Sequence, residues 1–436
     1  MWETDPSQQE TNGRRPQSAT NNLGRRTVLK GLAAGSVGSF AFAGAAAGKP
    51  GKQGVSGKCD IAVPDDYSTI QDAVDAANTG DTICVGDGTY SEQVVVNKSV
   101  TLQNKDGESP TIEPGTSPKA FTIPESSPTW EPMVFAYGGS ESGGAVSGAE
   151  IVDVDLSGFT LDGNDTQPAA RRKPGVLYRN AVGPISDNTI ENMGVGGKET
   201  FGVLAYGNSD VKVVGNSVSG YERGGIGANG DGGAQSSPTA DIRDNTVIGS
   251  ANLGEAWGPN GIQVGFGAEG QVRNNEVRDN RYSDEGPVAA GILIFESDEV
   301  AVRDNTVANA DIGLSCGSWG WFRASADGNQ FMKNYVVDTE FGALLEAVAE
   351  PYDGVLTQAD PSVSNTKVTH NSFEDDEETA EPDGNIGVGV VVDDNNIDNA
   401  FEPVAANNKI VRNTITGFET QIEDEGTGTK VGPIEP

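Results

Sequence analysis

The feature that most restricts this chain is a phrase met eight times: an Asn, one small or polar residue, then an apolar residue. It reads Asn188-Thr189-Ile190, Asn216-Ser217-Val218, Asn245-Thr246-Val247 and Asn275-Glu276-Val277. It continues as Asn305-Thr306-Val307, Asn334-Tyr335-Val336, Asn371-Ser372-Phe373 and Asn413-Thr414-Ile415. Successive asparagines stand 28, 29, 30, 30, 29, 37 and 42 residues apart. Between most of them lies a second phrase, Gly, apolar, any residue, apolar, clearest in Gly261-Ile262-Gln263-Val264 and Gly291-Ile292-Leu293-Ile294. A fixed period of this size marks one supersecondary unit per repeat. Apolar residues alternate with period two, so the units are short strands rather than helices. Strands this short bury their inward side chains only by stacking turn on turn.

An Asn at such a corner tolerates left-handed backbone and bonds the chain around it. Stacked, its amide can also bond the Asn above and below, as side-chain ladders do in stacked strands. The repeat therefore resembles the pectin-lyase-like superfold. That resemblance implies an all-β, single-stranded right-handed parallel β-helix over residues 59–420 with a short N-terminal capping α-helix. The superfold hosts lyases, hydrolases, esterases, adhesins and accessory proteins, so it implies a fold and leaves the activity open.

Formal charge is −35 over 436 residues. Acidity on that scale argues against nucleic acid or an anionic membrane as partner. It matches a solvated surface of the kind found in very salty environments, where screening removes self-repulsion, and the chain resembles exported haloarchaeal β-helix proteins. The single histidine, His370, fills the slot before a ladder Asn that elsewhere holds Asp, Gly, Asn, Lys or Arg, and reads as an ordinary repeat residue. With His370 taken as a repeat residue, Ser-His-Asp and Cys-His catalysis lack a base, and a single histidine excludes a multi-histidine zinc site.

Taken in order, the chain opens on a polar stretch, then Gly24-Arg25-Arg26-Thr27-Val28-Leu29-Lys30 and a small apolar segment to Ala47. This resembles a twin-arginine export signal over residues 1–47, cleaved near Ala47, so an extracellular or cell-surface location is expected. Residues 48–58 read as a linker. The stretch from Val63 to Val74 matches the N-terminal cap of the superfold. Ser68 and Gln71 form a capping box, and Ile70, Ala73, Val74 and Ala77 line one face of a helix that covers the first strand edge. The Gly88-Thr89-Tyr90-Ser91-Glu92 phrase resembles pectin methylesterases but opens many unrelated β-helices, and is a marker of fold. Cys59 and Cys84 flank the cap, and an exported chain permits a disulfide between them. Cys316 lacks a partner and reads as a buried thiol. Residues 110–150 read as irregular early turns, and 421–436 as a flexible acidic tail without a transmembrane span.

Insertions bracket the Gly-apolar-x-apolar strand. Loops before it carry Trp257, Tyr282 and Glu285; loops after it carry Phe295-Glu296, Trp319-Gly320-Trp321 and Glu346. Aromatic faces stack on sugar rings, and neighbouring carboxylates bond hydroxyls or act in acid–base chemistry. Glu296 and Glu346, then Glu285, are the candidate catalytic groups, since a glycosidase needs two carboxylates. The competing reading is that the aromatics only pack loops onto the helix. The phrases that mark polygalacturonases, pectate lyases and pectin esterases are missing; Arg171-Arg172-Lys173-Pro174 lacks the lyase spacing. The run Asp393-Asp394-Asn395-Asn396-Ile397-Asp398 could hold calcium but lacks the glycine and glutamate of an EF-hand loop and reads as a solvated turn. Arg243, Arg273 and Arg303 share one repeat position, pointing outward at a stacking distance of about 4.8 Å. They require anionic partners: Asp244, Asp304 and Glu276 within the chain, or the carboxylates or sulfates of a glycan.

The leading expectation is a secreted protein that binds, and as a lyase or hydrolase cleaves, a polysaccharide or surface glycan. The alternatives are a non-catalytic envelope or adhesion module and an accessory β-helix for metalloenzyme assembly, against which the single histidine counts.

Overall fold

Thirteen short parallel strands, one from each turn of the chain, stack into a sheet that runs from Ile61–Val63 to Lys430–Val431. The computed structural model describes residues 58–434 apart from 124–125, 140–149, 167, 171, 195–198, 232–236, 250–257, 283–288, 350–359, 376–387, 397–402 and 419. Two further columns complete the coil. The second holds the strand after each ladder Asn, such as Thr246–Ile248, and the third holds the Gly-apolar strand, such as Asn260–Gly265. Thr306–Ser318 and Tyr335–Ala349 run unbroken through both, which joins them into one 22-stranded sheet. The architecture is a right-handed parallel β-helix.

Stacking in register explains the repeat. Val218, Val247, Val277, Val307 and Val336 pair rung to rung and are fully buried inside the coil. The glycine at the start of the mid-coil third-column strands is required by this packing. A Cβ at Gly261 would lie 2.4 Å from a methyl of Val277, and one at Gly291 would lie 2.3 Å from a methyl of Val307. Only hydrogen fits where the two columns meet.

The ladder is continuous from Asn188 to Asn413. Each Oδ1 accepts from the backbone N–H and the Nδ2 of the preceding Asn, as when Asn245 donates to Asn275 at 3.1 and 2.9 Å. Each Nδ2 also reaches a carbonyl of the turn before, as Asn275 does to Ile242 O at 3.0 Å. Every amide is thus satisfied in the interior, where an unpaired one would be costly. The left-handed backbone, however, falls on the residue before the ladder Asn: Asp244 at φ 58°, Asn274 at 55°, Lys333 at 56°, His370 at 59°. The Asn is spent on the hydrogen bonds, and its exposed predecessor makes the corner.

The N-terminal cap corrects the sequence reading in detail. The helix α1 spans Ile70–Ala76, with Ile70, Ala73 and Val74 buried against the first turn. Its N-cap is Thr69, whose hydroxyl accepts from Asp72 N at 3.1 Å, in place of a Ser68–Gln71 box. Glu92 supplies the second cap, each oxygen accepting at 2.8 Å from Ile70 N and Gln71 N. A carboxylate answering two unfilled helix N–H groups accounts for the acidic end of the Gly-x-Tyr-x-Glu phrase. Gln71 is thereby freed to pair its amide with the Val95 backbone. A disulfide joins Cys59 to Cys84, with Cα atoms 5.6 Å apart.

Residues 420–434 do not form a loose tail. Thr420–Asp424 pairs with the strand Val388–Asn396, and Lys430–Val431 pairs with Lys409–Ile410, so one further turn is added. Asp393 to Asn396 continue that same strand instead of forming a turn. The export segment and most of the linker lie outside the described residues.

Candidate functional site

The third column ends each turn with a sharp corner, and there the loops differ. Val264 and Ile294 point into the core; the chain then passes through Phe266 at φ 57° and Glu296 at φ 49°. Such backbone is uncommon for bulky residues and marks a place where the surroundings hold the chain. At Glu296 the hold is visible. Its carboxylate, fully buried, accepts from Trp321 N at 2.7 Å on one oxygen and from Phe322 N and Arg323 N at 2.9 Å on the other. Burial pushes the Glu296 carboxyl above the usual range, and these backbone N–H groups pull against that shift. Glu296 therefore ties down the 319–323 loop. Its oxygens are occupied and shielded, which differs from the catalytic role expected of it.

That loop carries an aromatic cluster. Ring centroids lie 4.9 Å apart for Trp319 and Trp321, 5.6 Å for Phe295 and Trp321, and 6.4 Å for Phe295 and Trp319. Phe266 joins from the turn below, 5.4 Å from both Phe295 and Phe322. The pairs are tilted or edge-on, as ring quadrupoles prefer. Trp319 is only 8% exposed and its indole Nε1 donates to Glu346 Oε2 at 3.4 Å, so it is a packing residue. Phe322 is 49% exposed, and Phe266, Phe295 and Trp321 are half-buried. The cluster is thus a buried base with an open rim.

Phe295, Glu296, Trp319, Trp321 and Glu346 converge as the spacing implies. Tyr282 does not join them. Its N–H donates to Asp311 Oδ2 at 3.1 Å, at the opposite end of the Ala290–Phe295 strand. Trp257 and Glu285 lie outside the described residues. Arg243, Arg273 and Arg303 do stack in register on the outside of the first sheet. Asp244 and Asp304 pair with their neighbours at 2.8 and 3.0 Å, but Glu276 lies near Arg278. The bridging acid is Asp241, whose Oδ2 lies 3.3 Å from both Arg243 and Arg273. It stands two residues before Arg243 on the same outward face, a relation that period-two alternation shows.

Sequence reasoning missed Phe266 and Phe322. Aligning the turns would have found Phe266, because Gly265 pairs with Phe295 and so Phe266 matches Glu296. It also missed an open cleft of about 630 Å³, lined by Gly267 and Arg323, the residues that follow Phe266 and Phe322. The Arg323 guanidinium lies over Gly267, where a Cβ would come within 2.5 Å of Nη1. A second cleft of about 440 Å³ lies near the cap and contains Lys173. There Nζ donates to Gly163 O, Thr166 O and Thr166 Oγ1 at 2.9 to 3.1 Å, and burial lowers its pKa to about 8. All three donors hold the 163–166 turn, so Lys173 is a structural clamp. Cys316 is buried in the core, and burial pushes its thiol up to about 12. Among the described residues no group of three or more His, Cys, Asp or Glu is placed to hold a metal, and no helix is long and apolar enough to cross a membrane.

Two family models match the chain: the right-handed β-helix region over residues 201–431, and a protein of unknown function (DUF1565) over residues 61–288. No curated protein sequence matches it significantly. Among solved structures, the A-module of a mannuronan C-5 epimerase from Azotobacter vinelandii aligns at 15% identity and a TM-score of 0.42, covering 84% of this chain and 94% of that one. DFA-IIIase from Arthrobacter chlorophenolicus A6 aligns at 12% identity and 0.42, covering 81% of each. A lacto-N-biosidase from Eubacterium ramulus aligns at 11% identity and 0.37, covering 81% and 62%. Likenesses this distant concern the coil of the backbone alone.

Proposed function

The chain belongs to the right-handed β-helix family, and because that fold names no activity we propose its function from the site: a glycan-binding protein whose sugar platform is the aromatic corner. The observation that carries this reading is the convergence of Phe266, Phe295, Trp321 and Phe322 from successive turns, with Phe322 half out in solvent and its neighbour Arg323 lining a cleft. Single exposed aromatics are ordinary. Several gathered at one edge, held by a buried carboxylate, offer apolar faces to sugar C–H groups.

The geometry favours binding over turnover at this corner. Glu296 is committed to three backbone donors, and hydrolysis between two carboxylates would have to find a partner for Glu346. We also propose export by the twin-arginine route, supported by the paired arginines and by a disulfide that suits an oxidising compartment.

Retention on immobilised polysaccharides tests the proposal. Phe322→Ala and Trp321→Ala should each weaken retention by roughly tenfold, about 1.4 kcal/mol, with unchanged circular dichroism. Wild-type protein that no polysaccharide retains would refute glycan binding. Reducing ends or unsaturated products that vanish in Glu346→Gln would convert the protein into an enzyme.

A further inference from the structure

We infer that the glycan taken at this corner is uncharged and rich in hydroxyls, and that the adjoining cleft turns away uronate and sulfate polymers; this rests on the glycan-binding reading above. The cleft of about 630 Å³ adjoins that corner along the chain: Gly267 and Arg323, which line its wall, directly follow Phe266 and Phe322. Its charged lining is Glu269, Asp298, Glu299 and Asp327 against Arg323 alone. That one cation is already engaged, with Arg323 Nη2 lying 3.4 Å from Asp298 Oδ2.

Two of these acids, Asp298 and Asp327, are held in place rather than free to swing aside. Asp298 accepts from Ser325 Oγ at 3.0 Å and from Asp327 N at 2.8 Å. Asp327 accepts from Ser362 Oγ at 2.9 Å and from Ser364 N at 2.6 Å. Glu269 and Glu299 stand exposed at the rim. A polymer bearing a negative group on each sugar would have to bring it against this fixed negative wall. Hydroxyl groups instead find acceptors in carboxylate oxygens and in the exposed amide of Asn365. The arginine column, the other candidate for drawing an acidic polymer, is paired with Asp241, Asp244 and Asp304.

Biolayer interferometry of the full chain separates the cases. The neutral probes are laminarin, galactomannan and inulin; the anionic probes are polygalacturonate, alginate and chondroitin sulfate. At about 1 M salt the screening length falls to about 3 Å, so the overall charge of −35 ceases to matter while groups in contact still repel. A neutral polymer should then be held at least about tenfold more tightly than any anionic one, with little change on lowering the salt, and Phe322→Ala should weaken its retention by roughly tenfold. The paired change Glu269→Gln and Glu299→Gln should raise retention of the anionic polymers. Preference for an anionic polymer, or discrimination unchanged in the paired variant, would overturn the inference and leave glycan binding standing. Retention of no polymer would remove both.

Discussion

Two corners of the same coil are built on opposite plans. Where the first column meets the second, eight successive turns repeat one device: an exposed left-handed residue, then a buried Asn that bonds its neighbours. Where the third column ends, neighbouring turns differ: Gly265-Phe266, Phe295-Glu296 and Gly317-Ser318-Trp319 occupy equivalent places. At the first corner each interaction is shared with the turns above and below, so the cost of altering one residue spreads along the stack. At the second, one buried carboxylate holds one loop. The uniform corner makes the scaffold, and the varied corner is where we place the proposed binding site, in keeping with the way loops on rigid frames acquire function.

The contrast is broken most severely by Asn275→Leu. Leucine removes two bonds donated by Asn245 and two donated by Asn275, to Ile242 O and Asn305 Oδ1. Each buried group left unpaired costs about 1–3 kcal/mol, so a loss of about 3 kcal/mol or more is expected in global unfolding. Glycan retention by the folded fraction should be unchanged. An unaltered denaturation midpoint would show that the ladder contributes no stability.

Glu296→Gln sharpens the comparison from the other side. The amide keeps one acceptor oxygen but turns an NH2 group toward backbone donors that the carboxylate satisfied. Local opening of the 319–323 loop should become easier by about 1–3 kcal/mol. Hydrogen exchange at Trp321, Phe322 and Arg323 should quicken, and glycan retention should fall. The global midpoint should move far less than in Asn275→Leu. A uniform rise in exchange across the coil would mean that the corner is part of the scaffold after all.

These two positions also show how far the sequence alone could lead. The ladder was readable because eight equivalent asparagines recur at nearly constant spacing, and a stack of turns follows from that. Which residue takes the left-handed backbone was not, because Asp244, Lys333 and His370 share no chemistry beyond being exposed. The last turn escaped notice because Thr420–Asp424 and Lys430–Val431 lack a ladder Asn and carry the charge of a tail. At the site, loop positions were enough to bring Phe295, Trp319 and Trp321 together. They could not show that Glu296 lies beneath the loop, since an acidic residue looks the same in sequence whether it faces substrate or three backbone amides. Glu92 taught the same lesson at the cap.

The smallest expected effect is at the arginine column, which belongs to neither corner and lies on the flat first sheet between them. Arg273 shares Asp241 with Arg243, and its side chain is 22% exposed. Half-buried pairs in contact with solvent contribute little, about 0.2–1 kcal/mol for exposed examples, and salt lowers that further. Removing Arg273 also relieves its repulsion with Arg243 and Arg303, stacked directly against it. The gain offsets part of the lost bond to Asp241. Arg273→Ala should therefore shift stability by about 0.5 kcal/mol or less at moderate salt, with the difference vanishing as salt rises. Retention of neutral and anionic polysaccharides should both be unchanged. Weaker binding of an anionic polymer in this variant would place a recognition surface on the flat sheet, and the division between a structural corner and a binding corner would no longer describe the molecule.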